Sequence, residues 1–155
     1  MDIETADAFE ALKHHGIHVA NGKADRTGTS IVVAGEIDDV EGRTITLRGG
    51  GHAIRRMVPL GEAGAEVLAT HLQGTHHRLG SESARRLLEH LLLRCSDMFE
   101  DSEIETFRLN VRLHENSYAV VDAAMTAPSP LHLKKRLSAH AHDRKGAEFR
   151  PTGPQ

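Results

Sequence analysis

The sequence lacks the residues on which several common kinds of site depend. It has one cysteine, Cys95, so no internal disulfide is possible and no cluster of thiolate metal ligands can form within one chain. It has no tryptophan, and aromatic residues make up 3% of it, so aliphatic side chains must build the core. Cys95 lies in the apolar run LLLRCSDM, which favours a packed core thiol over a nucleophile.

A large net charge and long apolar runs are also missing. The formal net charge of −3 gives no general attraction to nucleic acid or to anionic lipid. No apolar run approaches the roughly 20 residues of a membrane-spanning helix. The first residues, MDIETADAF, are acidic and lack the apolar region of a signal peptide. We therefore expect a cytoplasmic protein that binds no membrane, with nucleic acid an unfavoured partner.

The chain has the length of one domain with a single core. We expect an α+β domain over residues 1–126, with a helix–strand start over 1–24 and a main body over 30–126. Residues 127–155 are expected to form a basic, partly helical or disordered tail. This tail has no interleaved aromatic residues, so it suits a solubilising or partner-docking role better than nucleic-acid binding.

Hydrophobic periodicity predicts an antiparallel sheet of hairpins packed against two or three helices. Short loops and turns separate the elements, and Gly16 suits the end of the first helix. The expected elements are a helix over 3–14, a strand over 17–19, a loop over 21–28, a hairpin over 30–37 and 43–48, an edge strand over 55–60, helices over 62–72 and 82–98 with Ser81 as N-cap, and a second hairpin over 104–113 and 118–122.

The second hairpin carries the polar cluster best suited to chemistry. Alternation along its first strand places Arg108, Asn110 and Arg112 on one side, and the returning strand brings Asp122 near them. One interpretation is a face that binds phosphate or a nucleotide, because a guanidinium binds phosphate through two parallel hydrogen bonds. The alternative is an ordinary solvated strand face, with Asp122 capping a strand end.

A glycine triplet, Gly49-Gly50-Gly51, directly follows the return strand of the first hairpin. Such a run permits close approach of the backbone to an anion, or simply a sharp change of direction. No Lys-Ser/Thr pair follows it, as a phosphate-binding loop of the Walker type requires. The turn interpretation is therefore favoured, and the three glycines remain candidate cofactor-binding residues.

Twelve histidines invite a metal hypothesis. Zinc needs three or four ligands that converge tetrahedrally. None of the histidine groups has a recognised ligand spacing, so we expect solvated histidines and no zinc cluster. The groups are His14-His15 with His18, His76-His77, and His140 with His142.

The order of motifs resembles the carboxy-terminal half of the ATP-grasp domain of ADP-forming acyl-CoA synthetases, relatives of the succinyl-CoA synthetase β chain. The resemblance covers roughly residues 30–125 and, more weakly, 5–24. The segments that carry it are IVVAGEIDDVEGRTITLRGGG, VPLGEAGAEVLATHL, SARRLLEHLLLRCSDMF and DSEIETFRLNVRLHENSYAVVDAAM.

The resemblance implies ATP or ADP with Mg²⁺ as ligands, and a metal site formed by Asp38, Asn110 and Asp122. Three positions depart from the family pattern: Arg108 stands where the family has an acid two residues before the Asn, and Val111 and Arg112 stand in place of the Pro and Leu that follow it. A guanidinium is always charged and only donates hydrogen bonds, so it opposes a bound cation. The family's ATP lobe, which carries a phosphate-binding lysine, is also replaced by a short loop in which Lys23 is the only lysine.

These departures predict a truncated or degenerate ATP-grasp-like domain that acts as a subunit or a nucleotide- or anion-binding module without autonomous ligase activity. ATP and Mg²⁺ binding would be weak or absent, and the partner would be a second copy or a larger acyl-CoA synthetase chain. One alternative is a half-site subunit of an active ATP-dependent acid–CoA ligase, completed by a partner chain. Another is an unrelated small α+β interaction protein.

Overall fold

A computed structural model describes residues 1–20, 28–75, 82–114 and 116–128. In these ranges the chain forms six strands and three helices. Their bounds are β1 Asp2–Ile3, α1 Thr5–His14, β2 Thr29–Asp38, β3 Gly42–Gly49, β4 His52–Met57, α2 Gly61–Thr75, α3 Glu82–Asp101, β5 Thr106–Leu113 and β6 Tyr118–Thr126.

The strands form one sheet in the order β1-β6-β5-β2-β3-β4. Every neighbouring pair is antiparallel. The sheet consists of two hairpin units, β2–β4 and β5–β6, which are joined only through the pairing of β2 with β5. The predicted α+β class, with an antiparallel sheet packed against helices, is confirmed.

The alternation of side chains along each strand divides the sheet into a core side and an outer side. On β5 the apolar residues Phe107, Leu109, Val111 and Leu113 are buried, whereas the intervening residues are exposed or half-buried. The three helices contribute apolar residues to the same core cluster, with α3 supplying most of them. No described helix packs on the outer side.

An aromatic contact ties the two hairpin units together in this core. The ring of Phe107 lies over its cross-strand partner Gly35, where an added Cβ would overlap the ring. Phe107 also meets Phe99 of α3 edge-to-face, with ring centroids 5.1 Å apart. The guanidinium of Arg43 lies 4.7 Å from the Phe99 ring, and its Nη1 donates a 2.7 Å hydrogen bond to the Ile104 carbonyl. This contact therefore joins β2, β3, β5 and α3.

Some element boundaries differ from those predicted. β4 runs over His52–Met57 rather than 55–60, because the chain reverses immediately at Gly50 and Gly51 and Pro59 offers no N–H to continue a ladder. The strand expected over 17–19 is reduced to one parallel bridge between Val19 and Val120. At the start of the chain, Asp2–Ile3 pairs with β6 instead of opening the first helix.

Other predictions fall outside the described residues. They are the loop at 21–27 with Lys23, the Ser81 N-cap, the histidines at 76, 77, 140 and 142, and the tail beyond 128. The domain boundary at residue 126 stays a prediction. Among the described helices, none is both long and apolar enough to cross a membrane.

Replacement of Gly35 by alanine tests the contact between the hairpin units. The added methyl group must displace the Phe107 ring, so we expect a loss of about 1–3 kcal/mol of unfolding free energy, as for other overpacked core positions. Chemical denaturation would measure it. Ala34→Val is the control, since it adds methyl groups to the outer side of the same strand. An equal loss in both variants would contradict this role of Gly35.

Cys95 behaves in the fold as a core thiol. Its side chain is fully buried in α3, and that burial raises the thiol pKa to about 12. Because the thiolate is the reactive species, we expect no reaction with an aromatic disulfide reagent at pH 8 while the protein is folded, and rapid reaction in denaturant. Stoichiometric labelling of the native protein within minutes would contradict the buried placement.

Candidate functional site

The outer side of the sheet carries the predicted polar cluster. We call it the open face and define it by outward-facing residues of the four strands β2, β3, β5 and β6. These residues are Ser30, Val32 and Ala34 of β2, Thr46 and Arg48 of β3, Arg108, Asn110 and Arg112 of β5, and Asp122 and Ala124 of β6.

Strand register places Asn110 at the centre of the open face. It lies opposite Val32 on one side and Asp122 on the other, and Val32 in turn lies opposite Arg48. Neighbouring strands are about 4.8 Å apart and alternate residues about 7 Å apart. Arg108 and Arg112 therefore flank Asn110 along β5, and Arg48 lies about 10 Å away across the sheet. The structure brings these predicted residues together and adds Arg48.

The cross-strand partners of the two β5 arginines, Arg108 and Arg112, are small. Arg108 has Ala34 and Ala124 as its cross-strand partners, and Arg112 has Ser30 and Ala119. The short side chains of Ser30, Ala34 and Ala124 keep the surface low beside the long arginines, whereas Ala119 is buried. The open face is therefore a shallow platform with guanidinium groups around it, a shape that can receive a flat or extended anionic ligand.

The arginines of the open face are not neutralised by neighbouring acids. Within the described part of the chain, Arg48, Arg108 and Arg112 take part in no ion pair. The Nε of Arg112 is buried and has no hydrogen-bond partner. Arg55 of β4 differs, because it lies 3.3–3.9 Å from carboxylate oxygens of three acids, Glu36, Asp38 and Glu41. An unpaired buried donor is costly, and an anionic ligand would supply its partner.

A β-bulge shapes the centre of this face. The β5–β6 register shifts between Asn110 and Val111, so that Asp122 lies opposite Asn110 while Val120 lies opposite Val111. One Asp122 oxygen accepts a 3.0 Å hydrogen bond from the Ala123 N–H. Bulges commonly re-aim side chains beside functional sites. The extra residue here makes Asp122 the cross-strand partner of Asn110.

Asp38, the third residue of the predicted metal set, lies elsewhere. Its Oδ1 accepts hydrogen bonds from the backbone N–H groups of Val40 (2.8 Å) and Glu41 (2.9 Å), which lower the pKa of its carboxyl group. It is six positions along β2 from Val32, about 20 Å at the usual rise per residue. The structure thus pairs Asn110 with Asp122 but not with Asp38. Among the described residues, no group of three or more His, Cys, Asp or Glu could hold a metal ion.

The glycine triplet forms a hairpin turn. Gly49 pairs with His52, and Gly50 and Gly51 connect them with φ angles of 58° and 81°, which favour glycine. Beside this turn, at the end of the open face, is a depression of about 270 Å³, which we call the corner pocket. It is lined by Ser30, Ile31, Val32, Arg48, Gly49, Gly51, His52 and Ala53.

Sequence reasoning missed three polar residues of this region, Ser30, Arg48 and His52. Arg48 had a usable signal, because alternation in RTITLR places it on the outer side with Thr46. Ser30 and His52 had none, since their positions depend on how β2 pairs with β5 and on the tight turn at Gly50 and Gly51.

This chain is similar in fold to solved structures, but it matches no known sequence family. No family model matches the chain, and no curated protein matches it. Two matching structures are of an acetyl-coenzyme A synthetase from Ca. Korarchaeum cryptofilum. The apo form has a TM-score of 0.60 at 18% identity, covering 79% of this chain and 65% of that one. The form with coenzyme A and Mg-AMPPCP has a TM-score of 0.58 at 21% identity, covering 66% and 54%.

A structure from Pyrococcus horikoshii also matches, with a TM-score of 0.56 at 19% identity, and covers 66% of this chain and 50% of that one. The chain thus spans about half to two thirds of the length of these structures. Identities this low show the fold alone. The fold of this protein is therefore of the acyl-CoA synthetase type.

The unpaired arginine of the open face leads to a stability prediction. Arg112→Met removes the buried unpartnered Nε and keeps most of the side-chain volume, so we expect unfolding free energy to stay the same or rise by up to about 1 kcal/mol. Arg43→Met is the control: it removes the hydrogen bond to Ile104 and the contact with Phe99, and should cost about 1–3 kcal/mol. Thermal denaturation of both variants would measure these changes in unfolding free energy. A marked loss of unfolding free energy in Arg112→Met would show that Arg112 stabilises the fold and would contradict its assignment as an unpartnered binding residue.

Proposed function

We propose that this chain is a nucleotide- or anion-binding module with an acyl-CoA synthetase-like fold and without autonomous ligase activity. It works as a subunit, either with a second copy or with a larger synthetase chain. The single observation that carries the proposal is the set of arginines on the open face, which surround Asn110 and have no acidic partner among the described residues.

The spacing of these groups suits a polyphosphate. Guanidinium groups bind phosphate through two parallel hydrogen bonds. Arg48, Arg108 and Arg112 lie within about 10 Å of Asn110, which is comparable to the length of a di- or triphosphate chain. The Asn110 amide can donate to a phosphate oxygen, and the low surface around Val32 and Ala34 leaves room for a base.

The same groups disfavour a divalent cation. Arg108 and Arg112 each lie about 7 Å from Asn110, and at that distance each opposes Mg²⁺ by about 1 kcal/mol in a water-like medium. Asp122 is the one carboxylate beside Asn110 in the described cluster, while Asp38 is engaged by its own turn. The binding mode that fits this arrangement neutralises phosphate with guanidinium groups rather than with a metal ion.

The proposed lack of autonomous ligase activity is supported by the short connection between α1 and β2. Ala20 is hydrogen-bonded to Val120, and β2 begins at Thr29. This short connection has no space for the ATP lobe that the resemblance to acyl-CoA synthetases implies at this position. A bound nucleotide would therefore contact one face only, unless a partner covers the open face.

Calorimetric titration with ATP, in EDTA and with Mg²⁺, tests the proposal. We expect binding in EDTA that Mg²⁺ strengthens less than threefold and that weakens steadily as salt is raised. Arg108→Gln should weaken it about tenfold, since a hydrogen bond to a charged group contributes about 1.5 kcal/mol or more. Arg86→Gln makes the same charge change on α3 and should have no effect.

Three results would contradict the proposal. Micromolar ATP binding that requires Mg²⁺ would contradict the degenerate, metal-independent site. Formation of acyl-CoA by the isolated chain from ATP, coenzyme A and a carboxylic acid would contradict the lack of ligase activity. If neither ATP nor pyrophosphate binds, the open face is not an anion site.

A half-site subunit of an active ATP-dependent acid–CoA ligase is the second candidate function. The observation that favours it is the bulge that brings the Asp122 carboxylate beside Asn110, because a catalytic role would need such a pair. Co-purification with a partner that supplies the missing lobe, and loss of acyl-CoA formation in Asn110→Ala, would favour this candidate. An inactive assembly, or an active one that Asn110→Ala leaves unchanged, would exclude it.

A further inference from the structure

We infer that the corner pocket binds the phosphate group of the ligand. The rest of the ligand lies along the open face towards Asn110. This inference rests on the proposed function and makes it specific: it names the end of the platform at which the phosphate binds. The Gly50–Gly51 turn, Arg48, His52 and Ser30 form that end.

The pocket exists because β2 is longer than its partner on one side. Pairing with β3 ends at Val32 and Arg48, since β3 turns back at Gly50. Pairing with β5 continues to Thr29. The segment from Thr29 to Ile31 is thus paired with one neighbour only, and its free edge meets the glycine turn across the depression. The backbone of such a one-sided strand edge and a serine hydroxyl are suitable partners for a phosphate.

The charge of the pocket has one sign. Arg48 and His52 line it, and no Asp or Glu is among the described lining residues. Arg112 lies directly opposite Ser30 on the neighbouring strand, with its buried Nε unpartnered. One guanidinium group, an imidazole and a hydroxyl therefore line one small space, and the guanidinium of Arg112 belongs to the strand next to Ser30. This combination favours a compact anion.

The size of the pocket points to a phosphate group rather than to a whole nucleotide. Its volume of about 270 Å³ is below the roughly 300–1,000 Å³ typical of sites that enclose a drug-sized molecule. The glycine side is unobstructed, because a Cβ placed on Gly51 would meet no atom within 4 Å. A phosphate or pyrophosphate group fits, and a base must lie outside, on the platform.

Ala53 offers a way to place a negative charge in the pocket. It is exposed on the edge strand β4, lines the pocket and lies opposite Arg48. Met57 is exposed on the same strand and on the same side, four residues away, about 13 Å at the usual rise. Ala53→Glu and Met57→Glu therefore make the same change of charge inside and outside the pocket.

The experiment is a calorimetric titration of the full chain and both variants with pyrophosphate, ATP and adenosine. We expect Ala53→Glu to weaken pyrophosphate and ATP at least tenfold, and Met57→Glu to change them less than threefold. Pyrophosphate should compete with ATP, and adenosine should not. Arg48→Gln provides a second test of the same site, with an expected weakening of about tenfold, in case the first variant has a lowered melting temperature.

The outcomes separate this inference from the proposed function. If the unmodified chain binds ATP but Ala53→Glu and Arg48→Gln leave binding unchanged, the corner pocket is not the phosphate site. The proposed anion-binding role of the open face is then unaffected. Equal weakening by Ala53→Glu and Met57→Glu also overturns it, since only net charge would then matter. Pyrophosphate binding without ATP binding would support a pocket for free phosphate and contradict the nucleotide part of the proposed function.

Discussion

The pairing of β2 with β5 is the interaction on which the rest of the structure depends. Within the sheet it is the one strand pairing that joins the two hairpin units, across a long separation in the chain. A slip of one residue would move every arginine of β5 from the open face to the core side. The Phe107 ring over Gly35 opposes such a slip, because only a glycine at that position leaves room for the ring. A packing contact in the core thereby sets the geometry of the polar face.

The two sides of the sheet differ in how their polar groups are satisfied. On the core side, polar groups are satisfied, as in the Arg43 contact with Ile104 and Phe99. On the open face, the β5 arginines lack protein partners among the described residues, and one carries a buried unpartnered donor. Arg55 shows that this chain can neutralise an arginine with nearby acids. Unpaired cations that cost stability are typical of sites that a ligand completes.

The likeness to solved structures covers the fold and not the chemistry of the site. The fold matches that of acyl-CoA synthetase structures at 18–21% identity, because an apolar alternation and a few turns are enough to preserve a sheet. The open face depends on single residues, and there Arg108 stands where the resemblance to that family implies an acid. A single residue such as Arg108 sets the sign of the charge beside Asn110, so a similar fold does not by itself imply a similar reaction.

The sequence by itself determined the α+β class, the two hairpins, the helices over 62–72 and 82–98, and the shared side of Arg108, Asn110 and Arg112. These features follow from local periodicity and turn chemistry, which any short window of sequence contains. Only the tertiary structure decided that Arg48 joins this face, that a bulge brings Asp122 beside Asn110, that Asp38 lies far from both, and that a pocket opens beside the glycine turn. These features depend on which strands pair and in what register, and that choice is made by packing between residues far apart in the chain.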